Sequence, residues 1–320
     1  MARVVLANLV IIVTVSSTPS SSASPQVPSA PSSPTKQTEL SVSPPNEAAI
    51  LDVMALDKNG QPIADLRADE FYLRVNQQEQ KIESVIYSDS EPIAVGFMFD
   101  ISGSQREDRA RELELKEAGN FLHRIWRPGD ESFIAAFNDQ LIVFSKPSHD
   151  LSDADKGLST LANVVPRGST ALYDAICAIK VDRASGLQRR VLVLVFSDFG
   201  DNASHIPLHN APQCARKAGF RIYSVPIAEE FVLSRRARKH ALEAARELSE
   251  HTGGEFFLPQ SKKDLSKIFT VVGGHLRSRY SISYSYSPAV SDVHSKSEKI
   301  ELTTSRKGVK LLYAKEIDQQ

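Results

Sequence analysis

Three separated segments of this 320-residue chain carry side-chain oxygens where a folded chain can present them to one ligand. Asp100-Ile101-Ser102-Gly103-Ser104 directly follows the apolar run Ala94 to Phe99. Thr170 stands in Arg167-Gly168-Ser169-Thr170-Ala171-Leu172-Tyr173-Asp174-Ala175, at a predicted helix start. Asp198 follows a second apolar run, Arg190 to Phe196, in Ser197-Asp198-Phe199-Gly200-Asp201-Asn202. Two carboxylates and three hydroxyls, with no sulfur and no imidazole, form an all-oxygen donor set. It suits a hard divalent cation, Mg²⁺ first, with Mn²⁺ or Ca²⁺ as alternatives. Two acidic groups only partly satisfy such an ion, which then stays electrophilic and can accept a carboxylate from a partner protein. Asp201, Asn202 and Asp174 are expected to brace the ligands or cap the loops. Taken singly, Ser102 and Ser104, or Ser169 and Thr170, read as helix caps. Their joint placement with two strand-end aspartates favours the metal.

Ligands of open α/β sheets sit beyond the carboxyl ends of the strands, where strand order reverses. The two apolar runs must therefore be parallel neighbours. From 91 to 277 strand and helix patterns alternate, with helices expected over 107–125, after Ser169, up to Gly219, over 235–251 and over 262–276. Ser132 to Phe137 and Leu141 to Phe144 flank Asn138-Asp139, which reads as a tight hairpin. The pattern predicts an α/β class, doubly wound, with a mainly parallel sheet covered by helices on both faces. Outside it the period is two. Ile50 to Leu56, Phe71 to Val75 and Ile82 to Tyr87 precede it, and Tyr280 to Ser287, Ile300 to Leu302 and Val309 to Tyr313 follow it. Neither flank has strands enough to close a core alone. They are expected to pair as one small β-sandwich (48–90 with 278–315) into which the α/β unit is inserted. The alternative is that each flank extends an edge of the sheet.

The Asp-x-Ser-x-Ser segment, the Gly-Ser-Thr-Ala-Leu-Tyr-Asp-Ala loop and the Asp198-x-x-Asp201-Asn202 loop resemble the metal-ion-dependent adhesion site of von Willebrand factor A domains. The chain is similar to the bacterial extracytoplasmic branch of that family through Asp57-Lys58-Asn59-Gly60-Gln61-Pro62-Ile63, Asp69-Glu70-Phe71 and Lys307-Gly308. The likeness covers roughly 48 to 315. It implies that Ser102, Ser104 and Thr170 coordinate directly, and that Asp100 and Asp198 bind directly or through water. It implies adhesion or complex assembly with a protein ligand. One position departs: the residue after Asp198, often glycine in the family, is Phe199, which would reshape the third loop.

Other functions are disfavoured. The formal net charge of -1 gives no field toward nucleic acid or anionic membrane. An Asp-nucleophile phosphotransferase needs a second carboxylate two residues after Asp100, and Ser102 stands there. No nucleophile elbow, phosphate loop or dinucleotide fingerprint is present. His123, His205, His209, His240, His251 and His275 lack ligand spacing. A binding protein is expected, with no enzyme activity and no small-molecule substrate. The second expectation is a metal-independent scaffold of an envelope complex. The basic run Arg235-Arg236-Ala237-Arg238-Lys239 reads as a solvated helix face. Cys177 and Cys214, the two cysteines, fall on helices flanking the second apolar strand. Right-handed crossovers put both helices on one sheet face, which leaves a disulfide and two buried thiols both open. Arg3 and the apolar run Val4 to Val15 read as a signal peptide (1–23), with a retained anchor as the alternative. The Ser/Pro-rich 24–47 reads as a disordered linker. The expected location is across the inner membrane: periplasmic, secreted or envelope-associated.

Overall fold

The computed structural model describes residues 47–105, 110–180, 191–227, 235–261, 264–286 and 297–318. The expected signal peptide, and all of the expected linker but its last residue, lie outside the described residues. The chain begins with β1 (Glu47–Leu56), β2 (Phe71–Val75), β3 (Gln78–Gln80) and β4 (Ile82–Ser88). The α/β unit follows as β5 (Ala94–Asp100), α1 (Ala110–Ile125), β6 (Glu131–Phe137), β7 (Leu141–Ser148), α2 (Leu151–Ala162), α3 (Leu172–Ala178), β8 (Val191–Ser197), α4 (Ala211–Ala218), β9 (Phe220–Pro226), α5 (Arg235–Thr252) and α6 (Asp264–His275). It returns through β10 (Arg279–Tyr286), β11 (Ser297–Thr304), β12 (Lys310–Leu312) and β13 (Glu316–Asp318).

The central sheet has the order β7-β6-β5-β8-β9. Only β7 runs antiparallel, across the hairpin at Asn138. Strand order reverses between β5 and β8, which pair in parallel from Ala94↔Val191 to Phe99↔Phe196. Both strands are buried along their whole length, which is why they read as unbroken apolar runs rather than alternations. Helices α1, α2 and α6 cover one face, around Phe97, Phe99, Phe121, Phe196 and Phe269. Helices α3, α4 and α5 cover the other, around Met98, Phe137, Val193 and Ile222. The doubly wound architecture is thus present. The helix α2 is one that the sequence pattern does not predict, although Asp150 caps it by accepting the Ser152 N–H at 2.9 Å. Past the end of α5, residues 255–258 contribute one bridge, Ser224↔Phe256. Among the described residues no helix is long and apolar enough to cross a membrane.

The flanks do not extend this sheet. They form two sheets, β12-β1-β10-β4 and β13-β11-β2-β3. Leu51, Val53, Phe71, Leu73, Val75, Tyr280, Ile282, Tyr284, Ile300 and Leu302 from both fill one shared core. The insertion leaves from β4 and returns through β10, and Ser88 lies directly opposite Arg279. Its two ends are therefore adjacent, and the sandwich can close around them. At this junction buried Asp130 accepts the Ile93 N–H and the Arg127 N–H and pairs with Arg277. On the far side Arg216 of α4 donates to Glu316 and Asp318 of β13, at 2.9 to 3.0 Å. That strand lies past the expected end of the sandwich at 315.

Candidate metal site at the carboxyl edge of the sheet

The register of β5 and β8 brings the first and third oxygen-bearing segments side by side. Asp100 is the last residue of β5, and Asp198 comes directly after β8. Both are buried, each 5% exposed. The second segment is held to the first by backbone. Gly103 N–H donates to Gly168 O at 2.9 Å, and Arg167 N–H donates to Ile101 O at 2.8 Å. Gly168 has φ +85, a left-handed turn that a side chain would strain, and a Cβ on Gly103 would stand 3.2 Å from the Gly168 carbonyl. The glycines thus let the two loops touch. The second and third segments are tied in turn: Asn202 Oδ1 accepts the Thr170 N–H at 2.9 Å, and Asn202 and Ala203 N–H donate to Thr170 O at 3.0 Å.

Ser102 and Thr170 are buried, Ser104 is half-buried, and Ser169 is exposed. Ser102 Oγ and Ser104 Oγ lie 3.1 Å apart and bond one another. Adjacent vertices of a Mg²⁺ octahedron of about 2.1 Å radius are separated by about 3.0 Å. The serine spacing therefore fits two ligands of one such ion. Thr170 does not cap α3; the N-cap is Ala171, with no side-chain bond. Asp100 Oδ1 accepts the Ser102 N–H at 2.8 Å and Oδ2 accepts the Ser197 hydroxyl at 2.6 Å. Burial, with the charge of Asp198 adding to it, pushes the Asp100 carboxyl up to about 6, against the hydrogen bonds from Ser102 and Ser197 that lower it. Among the described residues no Lys, Arg or His pairs with Asp100 or Asp198. Two buried neighbouring carboxylates without a cation are costly, and a divalent ion would relieve them. Among the described residues no group of three or more His, Cys, Asp or Glu side chains could hold a metal; this donor set has two carboxylates, and its other oxygens are hydroxyls.

The bracing residues take separate tasks. Asp201 Oδ2 accepts the Tyr173 N–H at 3.1 Å and the Ser204 hydroxyl at 2.6 Å, holding the start of α3. Asp174 accepts the His205 and Ile206 N–H groups and fixes the far end of the third loop. Cys177 and Cys214 form a disulfide between α3 and α4, with Cα atoms 5.0 Å apart. Three further residues contribute. Asn138 donates to Arg167 O at 3.1 Å, and its own carbonyl accepts the Ala171 N–H, which steadies the threonine loop. Gln105 donates to Ser104 Oγ at 3.3 Å. Ser197 holds Asp100. Asn138 was legible in the sequence only as a hairpin turn, and Gln105 and Ser197 carry no pattern of their own.

Phe199 explains how the third loop tolerates its missing glycine. Its φ is +58, the left-handed region. Its ring is buried in the core beneath α3, α4 and α5. Its N–H donates to Ser197 Oγ at 2.9 Å, and the next N–H, of Gly200, donates to Asp198 Oδ1 at 2.8 Å. The backbone thus takes a glycine-like conformation, secured by the buried ring.

No protein-family model matches the chain, and no curated protein matches it. Among solved structures, proximal thread matrix protein 1 from the mussel byssus is 16% identical over 63% of this chain and 51% of that one, with a TM-score of 0.49. The chain therefore spans about half the length of that protein. A structure of the same byssus protein with a zinc-occupied MIDAS motif is 18% identical over 62% of this chain and 48% of that one, with a TM-score of 0.47. A von Willebrand factor type A structure from Catenulispora acidiphila is 12% identical over 87% of this chain and 74% of that one, with a TM-score of 0.46.

Proposed function

We propose that this chain is an exported protein of the von Willebrand factor A type that binds a protein partner through a divalent cation. Asp100, Ser102, Ser104, Thr170 and Asp198 would hold the ion. The observation that carries this reading is the meeting of three distant segments at the strand-order reversal, with two buried carboxylates and no cationic side chain beside them among the described residues. When bound, the ion supplies a Lewis-acid centre for a carboxylate of the partner. The chain's own residues orient the oxygens and keep bulk water from all but the outer side. The role proposed for the set is binding.

A second reading, the metal-independent scaffold, is favoured by one fact: each Asp100 oxygen already has a hydrogen-bond donor. One experiment separates the two. Thermal melts are run with Mg²⁺, Mn²⁺ or Ca²⁺ and with chelator, on wild type and Asp198→Ala. Metal at about a hundred times its Kd adds about 2.7 kcal/mol, roughly 5 to 10 °C for a protein of this size. The variant should lose the shift. No shift with any of the three ions in wild type leaves the scaffold reading standing.

A further inference from the structure

We propose that Ser197 is a positioning residue for the metal site, a role that rests on the reading above. Its side chain is 1% exposed at the end of β8. A serine hydroxyl has one proton and two lone pairs. Here the proton goes to Asp100 Oδ2 at 2.6 Å, and a lone pair receives the Phe199 N–H at 2.9 Å. The first is the length of a charge-assisted O–H···O⁻ bond. The second closes a turn in which Phe199 holds φ +58, a conformation that a bulky residue keeps only when its surroundings fix it. One hydroxyl thus ties the carboxylate ending β5 to the first amide of the loop that carries Asp198. Asp100 is also bonded by Ser102, through its backbone N–H at 2.8 Å and through its side chain, but only Ser197 reaches both Asp100 and the Asp198 loop.

The hydroxyl sets two things at once. It fixes the Asp100 carboxylate in its rotamer. It also fixes the backbone from which Asp198 projects, since Gly200 N–H then reaches Asp198 Oδ1. Both acidic ligands should lose their preset geometry when the hydroxyl is removed. Residues that orient metal ligands cost roughly 10- to 100-fold in affinity when mutated.

The test uses the full chain and Mn²⁺ alone, titrated by calorimetry. Ser197→Thr keeps a hydroxyl. Ser197→Val has the same shape without one. Threonine should bind Mn²⁺ close to wild type, and valine roughly 10- to 100-fold more weakly, with binding measured at a temperature where each variant is folded in chelator. Valine binding as tightly as wild type would overturn the proposal and leave the site itself standing. So would equal losses in both variants, which would make the position one of volume and not of hydrogen bonding. Should the valine variant fail to fold, Ser197→Ala is read by the same two criteria. Failure of wild type to bind Mn²⁺, with the Asp198→Ala control equally silent, overturns the metal reading and this proposal with it.

Discussion

Single residues at the site weigh opposing energies. Phe199 is the clearest case. A left-handed backbone costs a residue other than glycine about 1 to 2 kcal/mol, and deleting a buried phenylalanine ring costs about 3 to 5 kcal/mol. The ring wins. Phe199→Gly should therefore destabilise the protein by about 1 to 4 kcal/mol, read as a lower urea midpoint at unchanged slope. A rise in the midpoint would show that strain, and not packing, governs this loop. Asp100 poses the converse problem, because its charge, which would serve the proposed metal, burdens the metal-free fold. Asp100→Asn keeps the shape and removes one of two buried neighbouring charges. In chelator at neutral pH the variant should melt higher than wild type, by an amount on the order of 1 to 3 kcal/mol, and it should lose the shift with Mg²⁺. A lower melting temperature in chelator would mean that the two carboxylates are better solvated than their burial implies. That Asp100, Ser102, Ser104, Thr170 and Asp198 would meet at one edge of the sheet was legible in the sequence because strand ends and helix starts fix where they go. Ser197 was not, because a hydroxyl inside an apolar strand has no period to mark it.

Elements transmit these constraints through crossings and caps. Helices α3 and α4 lie on one face of the sheet, and the Cys177–Cys214 disulfide closes a loop of 37 residues that contains β8. The chain-entropy model assigns such a loop about 4 kcal/mol. Reduction, or paired Cys177→Ala and Cys214→Ala substitutions, should lower the free energy of urea unfolding by about that much. Urea curves that coincide for the reduced and oxidised protein would dismiss it. The right-handed crossover made the common face readable, while the choice between thiols and disulfide needed the 5.0 Å approach of the backbones. Helix α6 ends on His275, which is fully buried. Its Nε2 lies 2.9 Å from Gly60 O in the sandwich, and its Nδ1 faces the Tyr223 hydroxyl at 3.3 Å and Glu255 at 3.6 Å, with Lys310 contacting Glu255. Burial holds its pKa below the ordinary histidine value, against the Gly60 carbonyl and Glu255, which raise it, while Lys310 also lowers it. The unfolded chain then takes up a proton near pH 6.5 that the folded chain refuses. Stability should fall as pH drops from about 6.5 toward 5. His275→Gln keeps a donor for Gly60 O and should lack this loss, so the wild-type minus variant urea midpoint should decline over that interval. A constant difference would exclude His275 as its source.

At the scale of the whole molecule, the fold depends on pairings between residues more than two hundred positions apart. The alternation of Tyr280 to Tyr286 showed a strand with one buried face, and the unbroken runs of β5 and β8 showed strands buried on both. Neither pattern specifies a partner, so β10 could have joined the central sheet as well as the sandwich. The structure seats β10 between β1 and β4, with Leu51 opposite Ile282 and Tyr280 opposite Tyr87. Buried Tyr280 also donates its hydroxyl to Ile63 O and accepts the Leu66 N–H, so it fastens the loop after β1 as well. The strand β13 escaped the sequence reading because three residues are too few to show a period; Arg216 secures it, beside the packing of Ile317. These contacts make the amino-terminal strands dependent on the carboxyl-terminal ones. A chain ended after Ser278 loses β10 to β13, which leaves β1 and β4 without any partner in that sheet, and β2 with β3 alone. A two-stranded remnant is marginal in water. Amide exchange over residues 48 to 88 should therefore approach unprotected rates in the truncated chain. The amides of β5, β6 and β8 should stay protected, because their ladders and both helix layers remain within the insertion. Protection that persists over 48 to 88 would mean that the first flank folds alone. Loss of protection in β5 and β8 as well would mean that the sandwich, joined to α4 through Arg216–Asp318, folds as one cooperative unit with the sheet that carries the candidate site.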